Sequence, residues 1–361
     1  MNTCEFCGAQ VEERLTEVEG KHICDNCLEE ETFICDSCHG VYFLRNQVSD
    51  EHLTICRNCI GERYYRCVEC DCLVHANNAL YRNEYDDDPY CEDCYNERFR
   101  DVVINDYYYK PEPIFYGTGT RYFGVELEID GAGEDNINAR KILEQAKPDT
   151  IYLKHDGSLD DGFEIVTHPM TLEYHLEQMK WPEIAGMALA LNYTSHKAGT
   201  CGLHVHVNKD CFGAKKDEQE KVIAKILYFV EKHWDELLKF SRRTSYQLNR
   251  WAKRYGYDEK PSELLEKAKN FNLGRYVSIN ISNAHTVEFR IFRGTLKLNT
   301  ILATLQMVNK ICDVAFCLSE DEIRELSWTS FVSSITETEL ITYLKERQIY
   351  INEPIEHKEE I

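Results

Sequence analysis

Three short segments, far apart in the chain, each place two polar side chains of catalytic type two residues apart inside an apolar, strand-like run. Gly124-Val125-Glu126-Leu127-Glu128-Ile129 carries Glu126 and Glu128. Cys201-Gly202-Leu203-His204-Val205-His206-Val207 carries His204 and His206, and Thr286-Val287-Glu288-Phe289-Arg290-Ile291 carries Glu288 and Arg290. Successive side chains of a strand alternate faces, so each pair points one way and its apolar neighbours the other. The members of a pair then lie about 6–7 Å apart. Two carboxylates, two imidazoles and a carboxylate–arginine pair on one sheet face would form a cation-binding, phosphate-facing surface. Hard carboxylate oxygens suit magnesium, which keeps phosphates in its shell. A guanidinium offsets charge on phosphate oxygens. Two of the pairs have an ordinary alternative, a solvated strand face for Glu126 and Glu128 and a plain ion pair for Glu288 and Arg290, whereas His204 and His206 have no obvious packing role. The three together carry the functional reading.

The elements that must position these pairs can be read from Arg121 onward. A strand runs through Glu126 and Glu128. A helix is expected over residues 137–146, stopping before Pro148. Lys154-His155-Asp156-Gly157-Ser158-Leu159 reads as a turn, with Asp156 its turn residue or else a ligand and the turn favoured, followed by a short strand over residues 162–169 that carries Glu164. Helices are expected over residues 171–193, interrupted near Pro182, and over 215–240, 297–318 and 336–347. Residues 274–281, opened by Arg275, form a strand with Ser278 and Asn280 on one face, joined by a tight turn near Asn283-Ala284 to the Glu288/Arg290 strand. By strict alternation Arg293 falls on the face opposite Arg290, and it reaches the site only if the strand ends or bulges near Gly294. Long helices interspersed with an antiparallel pairing argue for an α+β fold.

Thirteen of the seventeen cysteines precede residue 95. Six CxxC pairs follow in order: Cys4/Cys7, Cys24/Cys27, Cys35/Cys38, Cys56/Cys59, Cys67/Cys70 and Cys91/Cys94. They group as three repeats with internal gaps of 16, 17 and 20 residues and periods of 31 and 32. Two CxxC turns present four thiolates to one tetrahedral zinc, so three structural Zn²⁺ sites are expected. A cross-braced pairing between repeats stays open, as does the role of Cys72, with His39 and His75 as lesser candidate ligands. Zinc here supplies folding energy that some thirty residues cannot draw from a core. The surface so presented suits a protein partner or substrate. Residues 95–120, with Tyr107-Tyr108-Tyr109-Lys110-Pro111-Glu112-Pro113, read as a semi-rigid connector.

The formal net charge is −22, of which residues 1–98, with 8 basic and 22 acidic side chains, carry −14. So acidic a segment repels phosphate backbones, which disfavours nucleic acid as its partner. No secretory signal or stretch able to cross a membrane is evident, and cysteine-rich metal modules fit a reducing cytoplasm.

The segments GVELEID, DGSLDDGFEIVTHP, CGLHVHVN and TVEFRIFRGT resemble, in this order, the amidoligases, carboxylate–amine ligases related to glutamine synthetase and gamma-glutamylcysteine synthetase. The resemblance runs from about Arg121 to about Val314. It implies a glutamine-synthetase-like concave antiparallel sheet with flanking helices in residues 121–361. The small zinc-stabilised modules of residues 1–98 and the linker of residues 99–120 precede it. It further implies ATP and Mg²⁺ as cofactors and amide formation from a carboxylate and an amine through an acyl phosphate. On this resemblance Glu126, Glu128, His204 and Glu288 would ligate metal, with Glu164 a further carboxylate. His206 would face nucleotide or phosphate, and Arg290 the transferred phosphate. Arg275 would bind substrate carboxylate or phosphate. Assembly into oligomers is compatible with it. Two other readings of the residues remain open: a scaffold in which the zinc modules do the work, and a metal-dependent hydrolase using His204 and His206.

Overall fold

The computed structural model describes residues 1–81, 87–100, 103–258, 260–270, 274 and 276–351. The chain divides into two compact units, residues 1–102 and 103–361.

In the first unit each repeat is built from short two-stranded antiparallel hairpins, such as Thr16–Val18 with Lys21–Ile23 and Thr32–Ile34 with Val41–Phe43. Successive repeats are tied by an acid at an equivalent place. Glu19 accepts from the Phe43 amide at 2.9 Å, and Asp50, 31 residues on, accepts from the Leu73 amide at 2.6 Å. Phe43 also enters the small apolar cluster of the first repeat, beside Cys4, Ile23 and Cys27. The cores remain minimal, as the sparse apolar content of the repeats requires.

The second unit is α+β. Its sheet has seven strands: β1 (Ile104–Asn105), β2 (Phe123–Asp130), β3 (Ile151–Lys154), β4 (Gly162–Thr167), β5 (Leu203–Asn208), β6 (Ile279–Asn280) and β7 (Thr286–Phe289), in the order β1-β3-β4-β2-β5-β7-β6. Every neighbouring pair is antiparallel except β1 with β3. On β2, Val125, Leu127 and Ile129 are fully buried, as are Val205 and Val207 on β5 and Val287 and Phe289 on β7. They form one core with the helices Lys216–Lys232 and Leu298–Cys317. This apolar layer holds the strands rigid and leaves the opposite face to the polar side chains.

Several boundaries differ from the sequence expectation. The helix expected over residues 215–240 is two, Lys216–Lys232 and Trp234–Ser241. The break falls at His233, whose ring nitrogen meets the Leu326 carbonyl at 3.2 Å. The apolar periodicity continues across the break, so only tertiary packing reveals it. Ladder pairing in the 274–281 segment is confined to β6. The aromatic segment after Val102 belongs to the second unit: Ile104–Asn105 is its edge strand, and Tyr109 packs edge-on to Tyr152 at 5.6 Å. One expectation is corrected outright. The Leu298–Cys317 helix is long and apolar enough to cross a membrane, with mean hydropathy 1.2, but 67% of its apolar window is buried in the fold. It is the central helix of the core.

Candidate active site

The registers place the expected pairs on one face. Across β3, β4 and β2, Lys154 lies opposite Glu164, and Glu164 opposite Glu128. One row along, Glu126 is opposite His204; the next row sets His206 opposite Glu288, and Glu288 opposite Asn280. The central side chains Glu128, Glu164, His204, Glu288 and Arg290 are all buried.

Two donor clusters result. In the first, oxygens of Glu126 and Glu288 and a ring nitrogen of His206 lie within 4.8 Å of one another. His206 Nε2 is 3.2 Å from Glu126 Oε1 and 4.0 Å from Glu288 Oε1. Glu288 is held from three sides, by the Arg290 guanidinium, by Asn280 Nδ2 at 2.8 Å and by Asn283 Nδ2 at 3.1 Å. In the second cluster, oxygens of Glu128, Asp156 and Glu164 gather within 4.8 Å. Lys154 Nζ stands 3.8 Å from Glu164 Oε2, and the Gly202 amide donates to Glu128. His204 joins the two, with Nδ1 3.1 Å from Glu126 and Nε2 3.6 Å from Glu128. The imidazole that enters a carboxylate cluster is thus His206, and His204 is the bridge between clusters. Arg275 lies outside the described residues.

The electrostatics separate the two clusters. Burial pushes the Glu126 carboxyl up, but the charge and hydrogen bonds of His206 and His204 together hold it well below the usual range. Glu288 is likewise raised by burial yet held low by His206 and Arg290. Burial lowers His206, and the charges of Glu126 and Glu288 carry it above the ordinary imidazole value. Glu164 goes the other way: burial, then the charges of Glu126, Asp156 and Glu128, raise it well above the carboxylate range. The first cluster carries its own positive charge. The second is short of it: Lys154 is its nearest cation, and the His204 ring at 3.6 Å from Glu128 is shared with the first cluster.

Asp156 illustrates what alternation cannot show. It is a turn residue, accepting from the Ser158 amide at 2.7 Å, and it is also the third acid of the second cluster. Its Asp-Gly sequence favours the turn and leaves the ligand role as the lesser alternative. Lys154 and Asn280 also belong to the site; their positions on strands beside Glu164 and Glu288 were the available signal.

In the first unit, four sulfurs converge in each of three groups: Cys4, Cys7, Cys24 and Cys27; Cys35, Cys38, Cys56 and Cys59; Cys67, Cys70, Cys91 and Cys94. Sulfur–sulfur distances are 3.8–3.9 Å, as for Cys4–Cys27, Cys7–Cys24, Cys35–Cys59 and Cys70–Cys91. A tetrahedral ion with ligands at about 2.3 Å needs an edge of about 3.8 Å, so the donor sets fit a four-thiolate metal. Pairing is within each repeat, and Cys72 stands outside the third group. The Cys24 and Cys56 amides each donate to a cluster sulfur, Cys4 and Cys35, at 3.3 Å, the contact a thiolate requires.

Residues 144–312 match the family described as "Putative amidoligase enzyme". The matched stretch lies wholly within the second unit, and β2 with Glu126 and Glu128 lies just upstream of it. Among solved structures, the chain matches the ligase PafA in its complex with the prokaryotic ubiquitin-like protein Pup. Identity is 11% and the TM-score 0.28, over 57% of this chain and 50% of that one. The chain thus spans half the length of that matched structure. No curated protein matches it.

Proposed function

We propose that the second unit is an ATP- and Mg²⁺-dependent carboxylate–amine ligase. The observation that carries this is the pair of oxygen-rich clusters on one rigid sheet face, joined by His204 and flanked by Arg290. Glu126, His206 and Glu288 would hold one Mg²⁺, and Glu128, Asp156 and Glu164 another. The buried excess of negative charge in the second set is what a hard divalent cation would offset. Bound there, Mg²⁺ would neutralise the triphosphate of ATP. The chain's own part is positional. Glu288 holds Arg290 toward the transferred phosphoryl group, Asn280 and Asn283 fix Glu288, and His204 keeps Glu126 and Glu128 in register. The substrate carboxylate attacks the γ-phosphorus, releasing ADP and leaving an acyl phosphate. An amine then attacks the acyl carbon, forming the amide and releasing phosphate.

The division of the two imidazoles supports this reading over a zinc hydrolase. His204 and His206 do not enter a common cluster, and catalytic zinc sites draw on three protein ligands with an open position. For the first unit we propose three structural Zn²⁺ ions and a role in engaging a protein partner or protein-borne substrate, in a reducing, cytoplasmic setting where the thiolates persist.

Calorimetric titration of ATP with Mg²⁺ tests the site without knowledge of the acceptor. Binding that requires Mg²⁺ and is lost in Glu126→Gln supports the ligase. Absence of ATP binding to the folded full chain overturns it in favour of the scaffold.

A further inference from the structure

The second acid cluster has a cation beside it, and the structure holds that cation loosely. Lys154 ends β3, where its register partners are Glu164 on β4 and Asn105 on β1. The residue is buried, only 9% exposed. Its ammonium stands 3.8 Å from Glu164 Oε2, beyond hydrogen-bond reach, and among the described residues it donates no hydrogen bond. Arg290 in the first cluster differs, because its guanidinium is hydrogen-bonded to Glu288. A buried ammonium is costly unless it is paired and hydrogen-bonded. Lys154 is thus a counter-ion in place but not fastened.

On another side the ammonium faces a ring. Lys154 Nζ lies 5.5 Å from the Tyr107 ring centroid, within cation–π range. Tyr107 follows β1 by two residues, and β1 is pinned to β3 around Lys154. Asn105 Nδ2 donates to the Leu153 carbonyl at 3.0 Å, and the His155 amide donates to the Asn105 carbonyl at 2.9 Å. Tyr109, edge-on to Tyr152 at 5.6 Å, fastens the same segment again. The Tyr107 ring is therefore a fixed second seat for a charge carried on a flexible four-carbon stem. Oxygens of Glu128, Asp156 and Glu164 lie within 4.8 Å of one another, and a divalent cation held by Glu164 would meet the ammonium as a like charge.

We propose that Lys154 is the resident counter-ion of the second cluster, and that a divalent cation entering the cluster drives the ammonium from Glu164 onto the Tyr107 ring. Lys154 thereby sets how readily the second site fills, and Tyr107 eases its departure. Without metal, the acids keep a compensating charge beside them. With metal, that charge passes to the aromatic segment that precedes β2. This rests on the two-metal reading above and concerns the control of that same site.

Mg²⁺ is titrated calorimetrically into the full chain at pH 8, and the second-site isotherm is the one that Glu164→Gln removes. Lys154→Met should tighten that site about tenfold or more, because a neighbouring like charge is gone. Tyr107→Leu should weaken it about threefold, the effect of one weak cation–π contact, while Tyr107→Phe keeps the ring and the wild-type affinity. In the Lys154→Met background Tyr107→Leu should change nothing, a result that a merely structural role of the ring would not give. Unchanged or weaker Mg²⁺ binding in folded Lys154→Met overturns the proposal. Equal weakening by Tyr107→Leu with and without Lys154 overturns it as well. If Lys154→Met does not fold, the two Tyr107 variants decide, and equal affinities of Tyr107→Leu and Tyr107→Phe overturn it. A second site that takes up no Mg²⁺ in wild type or in any variant, with or without ATP, strikes the two-metal reading and the proposal with it.

Discussion

Replacing Glu164 by glutamine should make the metal-free second unit more stable while removing its response to magnesium. Glu164 lies with Glu128 and Asp156 inside a 4.8 Å group, all three buried. At an effective dielectric of about 20, unit charges at that separation repel by about 3.5 kcal/mol per pair. Lys154, 3.8 Å away, returns about 4.4 kcal/mol of attraction, leaving a net repulsion of about 2–3 kcal/mol on an ionised Glu164. Proton uptake relieves part of this, because burial and the neighbouring acids raise the Glu164 carboxyl well above its ordinary value. The sign follows. A carboxyl whose folded value exceeds the unfolded one, about 4.3, favours folding below that value and loses the contribution as pH rises through the folded value. Wild type without metal should therefore lose stability between mildly acidic pH and pH 8 through this group, and Glu164→Gln should not. A gain of about 1–2 kcal/mol at pH 8 corresponds to roughly 3–6 °C in a domain of this size. Magnesium at about 100 times its Kd would add about 2.7 kcal/mol to wild type and little to the variant. Differential scanning calorimetry at pH 5.5 and 8, with chelator or Mg²⁺, reads both effects. A metal-free variant less stable than wild type at pH 8, or one with the full magnesium response, would refute the reasoning.

Three further outcomes are expected. Glu126→Gln should weaken Mg²⁺-dependent ATP binding at least tenfold, about 1.4 kcal/mol, because it removes one donor of the first cluster and the acid facing both imidazoles; wild-type affinity by calorimetry would contradict that role. Cys67→Ser should release one of three zinc ions and leave two, since the three sulfur groups share no ligand; atomic absorption showing three retained ions would mean the third site is built otherwise. Residues 103–361 alone should fold and bind ATP, since that unit has its own core; an insoluble or molten product by near-UV circular dichroism would count against its independence.

Much of this site was legible because strand alternation is a strong constraint. Val125, Leu127 and Ile129 had to be buried together, which obliged Glu126 and Glu128 to share the other face, and the same holds on β5 and β7. The CxxC spacing was equally direct, since a four-thiolate tetrahedron needs two such turns and nothing else. What stayed hidden was set by contacts between distant segments. The break at His233 interrupts no periodicity, and the β1 edge strand is two residues long, too short to leave a pattern.

Arg293 shows the limit most sharply. Counting alternate residues from Arg290 sets it on the far face, and that count presumes the strand continues. In the structure β7 ends at Phe289, Arg293 turns to bridge Gly202, and its Nη1 reaches the Arg242 carbonyl at 3.4 Å. Alternation holds only while ladder pairing imposes it, so beyond a strand's end the side chain is placed by whichever segment crosses there. Here that segment carries Arg242 and Arg243, some fifty residues earlier in the chain. The carboxylate end of the face was readable because it lies within strands. The arginine end was not, because it is assembled where two strand termini and one helix terminus meet, and at such junctions only the fold decides which charges become neighbours.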